Sequence, residues 1–318
     1  DMDALPVTEK TGLSYASCHE GVMHACGHDG HMATLLGAIR VLYDLRSELK
    51  GKVAFVFQPA EEGGGGADVM CREGALENPK VDVIYGLHGW PTIPLGKIGV
   101  RHGPMLASTC DFEVVVKGKG CHAAMPHLGQ DALLTACRMV DSLQSVVSRS
   151  VAPTDPVVVT VGKIQGGSAT NVISGEVKFA GTLRTVRKDT QTQAIATMKQ
   201  MCEGIASAHG VTCDTDFRIG YPPTINHRAA TDLLAALAGD VLGPEMVESL
   251  EAPSLGGEDF AYYLQKIPGS FFFLGVNDGR KGGYPGLHHP GYDFNDQAMT
   301  TGIRLFAHLA VEYHARAL

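Results

Sequence analysis

The segment HACGHDGH, residues 24–31, gathers three histidines, a cysteine and an aspartate into eight positions. Imidazole nitrogen, thiolate and carboxylate oxygen are the donors that divalent transition metals take. Cys26 and His28 are too close in sequence to share a helical face, but they suit a turn wrapped around an ion. Three further segments carry donors of the same kinds: Glu61 and Glu62 in QPAEEGGGG, His88 in GLHG, and His288 with His289 in LHHP. A metal centre of one or two ions is the chemistry these types share. Neighbouring glutamates admit a division of labour. One binds metal while the other faces a water whose pKa the metal lowers from about 15.7 to about 7. Moving that proton to a leaving amine is general acid–base work worth roughly 10²- to 10⁴-fold in rate. Taken singly, each donor reads as an ordinary solvated or hydrogen-bonded side chain. Only their convergence points to metal.

Convergence needs a scaffold. Met32, Leu35, Leu36, Ile39 and Leu42 recur at helical spacing and predict an amphipathic helix over 30–45, directly after the cluster. KVAFVFQ (52–58) and VDVIYGLH (81–88) are short apolar runs of buried-strand type, with a helix expected near 67–76 between them. Strand, helix and strand with covered faces predict an α/β layer structure. Ligands of such sheets bind at the carboxyl ends of the strands. On that reading Glu61 and Glu62 follow one strand, His88 ends the next, and His288 lies beyond a strand at 270–276. Helices are expected at 229–242 and 296–315, the last behind Asn295 as its cap. From about residue 108 the pattern changes. Strands at 111–118, 156–164, 176–186 and 211–219 and helices at 131–149 and 189–208 give the order β-α-β-β-α-β, the ferredoxin-like unit. The simplest organisation is a metal-binding domain of residues 1–107 plus 221–318, with a second domain, 108–220, inserted into it.

Composition excludes other classes. The 318 residues carry a net charge of −8 and no dense Lys/Arg run, which argues against nucleic acid or an anionic membrane as partner. No stretch approaches the roughly 18 uninterrupted apolar residues of a membrane span. No charged-then-apolar leader opens the chain. Eight cysteines without a paired framework point to reduced thiols and a cytoplasmic location. GGGG (63–66) lacks the Lys-Ser/Thr of a phosphate loop, and GGSATN (166–171) lacks a nucleophile-elbow pattern. The adjacent pairs Cys18-His19 and Cys121-His122 seldom aim at one another, which disfavours a thiol hydrolase.

With these residues collected, the chain resembles the aminoacylase/hippurate hydrolase family of metal-dependent amidohydrolases. That group includes bacterial N-acyl-amino-acid amidohydrolases and plant indole-3-acetyl-amino-acid hydrolases, and is related to the co-catalytic zinc carboxypeptidases. The likeness runs through DMDALP (1–6), HACGHDGH (24–31), FQPAEEGGGGA (57–67), GLHGWPTIPLG (86–96), GKGCHAAMPH (118–127), NVIS (171–174), GTLRT (181–185), GGEDFAYY (256–263) and LHHP (287–290). It implies an α/β, zinc-peptidase-like catalytic domain with an inserted ferredoxin-like lid and dimerisation domain. It implies two divalent ions (Zn, Mn, Co or Ni) on Cys26, His28, Glu62, His88 and His288, with the Cys26 thiolate bridging them and Glu61 as general base and acid. In a homodimer formed through the lid, His122 would reach the partner's active site and steady the oxyanion, and Asn171 would contact substrate. Without the resemblance, His122 reads as a polar loop histidine. Arg184 is a candidate for gripping a substrate carboxylate, since a guanidinium matches that geometry.

The implied activity is hydrolysis of the amide bond in an N-acyl amino acid of the hippurate or N-acetyl type. A carboxypeptidase or dipeptidase, or an N-acetyl-diaminopimelate deacetylase, would use the same machinery and stays open. So does a non-catalytic, metal-binding dimeric interaction protein, although the presence of both Glu61 and Glu62 argues against it. The chain also departs from the family. The upstream stretch that usually supplies opening helices and a strand is expected to be missing, which would expose apolar surface. Cys121 stands where glycine is usual, and Ser174 where proline is usual.

Overall fold

Helical and alternating periodicities resolve into elements along residues 1–316, which the structure, a computed structural model, describes. The chain begins with α1 (His28–Asp44), α2 (Gly66–Arg72), β1 (Ile84–Pro94), β2 (Ile98–Val100) and β3 (Gly103–Leu106). It continues through β4 (Ser108–Lys117), β5 (Cys121–His122), α3 (Ala132–Ser145), β6 (Val157–Gly166), β7 (Val172–Ile173), β8 (Glu176–Thr185), α4 (Lys188–Ala208) and β9 (Thr212–Ile219). It closes with β10 (Thr224–Asn226), α5 (Arg228–Leu242), β11 (Val247–Ser249), α6 (Ala261–Leu264), β12 (Gly269–Asn277) and α7 (Asp296–Arg316). These elements group into two units. Asp1–Met105, Thr224–Pro253 and the chain from Asp259 onward form the first; Leu106–Pro223 and Ser254–Glu258 form the second.

The first unit is built on β12, whose residues from Gly269 to Val276 are all buried. A strand covered on both faces reads as a continuous apolar run, and SFFFLGV is one. The sheet runs in the order β1-β12-β2-β11. β1 lies parallel to β12, with Leu87 opposite Phe272 and His88 opposite Phe273. Phe272, Leu274 and Val276 pack with Leu234 and Leu237 of α5 and Leu305 and Leu309 of α7. Burying each such side chain stabilises the unit by about 1.5–3 kcal/mol. α1 buries Ala38 and Leu42 and turns Leu36 and Tyr43 outward. Asn295 does precede α7 as expected, its Oδ1 accepting from Gln297 N at 3.1 Å.

Three local expectations for this unit need correction. KVAFVFQ (52–58) forms no strand, and β1 takes β12 as its ladder partner. β-branched and aromatic residues favour a pleated, half-buried surface rather than pairing as such; Phe55, Val56 and Phe57 are half-buried without a ladder. His88 does not end its strand, because β1 runs on to Pro94. The helix expected near 67–76 stops at Arg72.

The second unit has the order β4-α3-β6-β8-α4-β9, and its sheet runs β6-β8-β4-β9 with every neighbour antiparallel. That is the ferredoxin-like arrangement. Central β4 pairs with β8 from Ser108↔Thr185 to Lys117↔Glu176. Met139 and Leu143 of α3 and Met198 and Cys202 of α4 pack on Phe112, Val114, Phe179 and Leu183. Asp131 caps α3 by accepting from Leu134 N at 2.9 Å. Residues 254–258 pack with this unit, Gly256 O accepting from Ala107 N at 2.9 Å. A short ribbon pairs β5 with β7, and β10 pairs with β3.

Candidate metal centre

Within the first unit, backbone geometry delivers the donors. Gly27 stands between Cys26 and His28 at φ 85° as the cap residue of α1. A side chain there would be strained, and its Cβ would lie 2.9 Å from Tyr292 Oη. The left-handed turn leaves Cys26 just before the helix and His28 as its first residue. His88 comes from the middle of β1 and is buried. Glu61 and Glu62 follow Ala60, and His288 lies beyond β12. His288 N donates to Ala25 O at 2.7 Å, which ties its loop to the residue before Cys26. Among the described residues, Ala60 and His288 are the non-glycines with positive φ, at 60° and 65°. Such conformations cost on the order of 1–3 kcal/mol and persist where the surroundings hold them. Both sit at this cluster.

Two donor groups share one residue. Cys26, His28 and His88 form one, and Cys26, Glu62 and His288 the other; within each, the ligand atoms lie within 4.8 Å of one another. Cys26 Sγ is 3.4 Å from His88 Nε2. Glu62 Oε1 is 3.4 Å from His288 Nε2 and 3.9 Å from His28 Nε2. A further group of His28, Glu61 and Glu62 brings the buried Glu61 carboxylate to the same place.

The residues fit a pair of divalent cations. His28 Nε2 and Glu62 Oε1 are buried without a hydrogen-bond partner. Leaving such atoms unsatisfied costs about 1–3 kcal/mol each, which a cation between them would offset. The tautomers agree. His28 Nδ1–H donates to the Asp3 carbonyl at 3.0 Å and His88 Nδ1–H to the Gly89 carbonyl at 2.9 Å, so both Nε2 lone pairs face the cluster. Burial pushes the His28 imidazole below its ordinary pKa and His88 well below, so both are neutral, as a ligand must be. Burial works to raise the Glu62 pKa, but His288, His28 and Cys26 beside it outweigh that and hold it ionised. The same contact with Glu62 raises His288.

Sequence reasoning set His31 beside Cys26 and His28 at the start of the helix without giving it a role of its own, and gave none to Asp1 or Asp3. Asp3 Oδ2 accepts from Glu62 N at 2.9 Å, so Asp3 steadies Glu62 as well as His28. His31 accepts from Gly89 N at 2.8 Å through Nε2, so its Nδ1–H donates to Asp1 Oδ1, 2.9 Å away. Its ring stands 4.6 Å from that of His88. The available signal was the need of every buried ligand histidine for an acceptor at its second nitrogen, with DMDALP as the acidic segment to supply it. His122, Asn171 and Arg184 lie in the second unit. The ribbon brings two of them together: His122 pairs opposite Val172, and Ala123 N donates to Asn171 O at 3.0 Å. Arg184 is on β8, its guanidinium donating to Thr182 Oγ1 and to the Leu183 carbonyl.

Sulfur, nitrogen and oxygen donors, buried at Cys26, His28 and His88 and more open at Glu62 and His288, with an adjacent second carboxylate on an α/β unit, are the equipment of a metal-dependent hydrolase. The chain belongs to peptidase family M20/M25/M40, whose profile matches residues 1–312. It is 42% identical over 303 residues to N-acetyl-L-cysteine deacetylase of Bacillus subtilis, covering 94% of this chain and 70% of the relative. It is also 42% identical over 318 residues to the IAA-amino acid hydrolase ILR1-like 2 of Arabidopsis thaliana, covering 98% and 71%. The fold superposes on the solved Bacillus subtilis YXEP protein, a dinuclear metal binding peptidase from the M20 family. The TM-score is 0.83 at 34% identity, with 99% of this chain and 79% of that one covered. The chain is thus a metal-dependent amidohydrolase. Among the described residues no helix is long and apolar enough to cross a membrane, and all eight cysteines are free.

Proposed function

We propose that this chain hydrolyses the amide bond of small N-acyl amino acids at a centre of two divalent cations held by Cys26, His28, His88, Glu62 and His288. The observation that carries the reading is the membership of Cys26 in both donor groups, with Glu61 beside Glu62. Relatives named for N-acetyl-L-cysteine and IAA-amino acids, and a solved relative described as dinuclear, support it.

Bound cations supply Lewis acidity for the scissile carbonyl and acidify water. The chain's own residues do the rest. Glu61, buried at the cluster, takes a proton from the attacking water as oxygen bonds to the carbonyl carbon. It returns that proton to the amide nitrogen as the carbon–nitrogen bond breaks, so the amine leaves neutral and Glu61 ends ionised. Asp3 keeps His28 and Glu62 oriented throughout.

His122 of a second copy is assigned to the oxyanion. Its Nδ1 accepts from Ala124 N at 3.1 Å, which places the ring proton on Nε2 of an exposed side chain, a donor as that role requires. Asn171 is assigned to substrate contact. Arg184 is assigned to the substrate carboxylate, for which it must release Thr182. A homodimer through the second unit, a cytoplasmic location and Zn, Mn, Co or Ni as the native ion complete the reading.

The test is Glu61→Gln. Turnover of hippurate and N-acetyl-amino acids should fall by at least roughly 10²-fold, while elemental analysis still finds the metal of the wild type. Undiminished turnover would overturn the assignment. Dipeptides in the same panel separate a peptidase from an N-acyl-amino-acid hydrolase.

A further inference from the structure

The segment GGEDFAYY contains a buried acid that the chemistry above does not use. Asp259 is 0% exposed. Its Oδ1 accepts from Gln58 Nε2 at 2.6 Å and its Oδ2 from the backbone N–H of Ala67 at 3.0 Å. Gln58 and Ala67 bracket the loop that carries Glu61 and Glu62. We propose that Asp259 is a positioning residue, a two-armed clamp that closes this loop at both ends and so sets where the two glutamates stand. The inference rests on the reading that Glu61 and Glu62 work at the metal centre.

The loop needs such a clamp. It folds back on itself, Gly64 N and Gly66 N both donating to Ala60 O, at 3.0 and 3.3 Å. Ala60 holds a left-handed conformation that an alanine adopts at a cost, immediately before Glu61. At Gly66 a Cβ would lie 1.7 Å from the Pro59 carbonyl oxygen, so the closed turn leaves no room for a side chain there. Released at either end, the chain around Ala60 would relax toward ordinary backbone and carry both carboxylates with it. Asp259 is itself well founded. Its carbonyl accepts from Tyr262 N at 2.9 Å at the start of α6, and Tyr263 of that helix meets Met70 of α2, Oη to Sδ 3.4 Å.

The chemistry also explains why the residue is an acid. Both arms end on N–H donors, and only a carboxylate offers an acceptor oxygen to each. Asparagine would accept from one and turn its own N–H₂ toward the other. That mismatch gives a test by exchange. In Asp259→Asn, the full-length zinc-loaded enzyme should lose roughly 10- to 100-fold in kcat with KM nearly unchanged, and zinc affinity measured by chelator competition should fall over a similar range. The acid limb of the kcat/KM–pH profile, which reports the general base, should move. Adding Gln58→Glu to Asp259→Asn reverses donor and acceptor on that arm, and should bring kcat, zinc affinity and the acid limb back to within about threefold of wild type.

Ser270→Ala is the control, since it breaks a buried bond with Thr231 (3.0 Å) away from the loop. Asp259→Asn behaving like this control, with stability lowered but kcat, acid limb and zinc affinity unchanged, would overturn the inference. So would failure of the exchanged pair to recover. If Asp259→Asn does not fold, Gln58→Ala removes one arm without burying a mismatched donor, and the same three readouts decide. Glu61→Gln run alongside separates the failures. If that variant stays active the catalytic reading falls, while zinc affinity, which depends on Glu62, still reports on the clamp.

Discussion

Cys26 belongs both to the group with His28 and His88 and to the group with Glu62 and His288, which makes a prediction that His88 and His288 do not share. Replacing Cys26 by alanine removes one donor from each of these two groups, whereas replacing His88 or His288 removes a donor from one of the two. Apparent binding free energies of four-donor zinc sites are about 10–16 kcal/mol, or about 2.5–4 kcal/mol per donor. At about 1.4 kcal/mol per tenfold, each lost donor weakens its ion by roughly 10²- to 10³-fold. Cys26→Ala should therefore weaken both ions by that factor. His88→Ala should weaken one ion and leave the group of Cys26, Glu62 and His288 intact, and His288→Ala the reverse. The assay is elemental analysis after equilibration across a series of buffered free-zinc concentrations. The wild type should fill both sites, the two histidine variants should show one strong and one weak step, and Cys26→Ala two weak steps. Cys26→Ala retaining both ions at wild-type affinity would refute the shared-donor arrangement. So would His88→Ala losing both together.

The metal-stripped chain should destabilise on acidification in a defined window. Burial holds the folded His31 and His88 pKa values well below the ordinary 6.5, so the folded protein keeps them neutral. The unfolded chain binds protons that the folded one refuses once the pH drops below about 6.5. Stability is therefore full above that pH and falls below it, by up to about 1.4 kcal/mol per pH unit for each histidine. Urea midpoints from pH 8 to 5 measure this, and a midpoint that is flat or rises on acidification rejects it. Gly27→Ala should lose about 2–4 kcal/mol, combining a left-handed alanine with the 2.9 Å approach to Tyr292 Oη, and should weaken zinc binding because the turn joins Cys26 to His28. Wild-type stability in that variant would show that the turn tolerates a side chain.

How legible the site was depended on whether a residue's role lay in its own type or in its neighbours. Donor chemistry and the places around apolar runs pointed to the segments of Cys26 and His28, of Glu61 and Glu62, of His88, and of His288 and His289. Only the resemblance singled out five residues, and the fold sets the ligand atoms of Cys26, His28 and His88, and of Cys26, Glu62 and His288, within 4.8 Å of one another. The roles of Asp3 and His31 could not be read in this way. An acid two residues from another and a histidine at the foot of a helix carry no local mark of what their second atoms will touch. KVAFVFQ failed for a related reason. Its composition is that of a strand, but a strand exists only where another backbone supplies the ladder. The second unit was more legible because its pattern is carried by β4, β8 and β9, whose pairing follows from alternation along each strand. The left-handed Ala60 left no trace at all, since alanine gives no warning of positive φ.

Ala60 and His288 also bear on how the centre relates to stability. Two costs concentrate at one place: strained backbone at these residues, and buried polar atoms on His28 and Glu62 without hydrogen-bond partners. Neither is relieved by anything the local sequence could supply, because a relaxed Ala60 or a solvated His28 would no longer present a donor. The strain must be borne by the remainder of the first unit, where β12 and the helices packed on it form an apolar core with little freedom to shift. Cations at the proposed site would take the place of the hydrogen-bond partners that these atoms lack. If the proposed site holds, the core fixes the donors in advance, and metal binding would recover part of what that arrangement costs. Stability and metal occupancy should then rise together, with the core setting how much of the cage survives when the ions are removed.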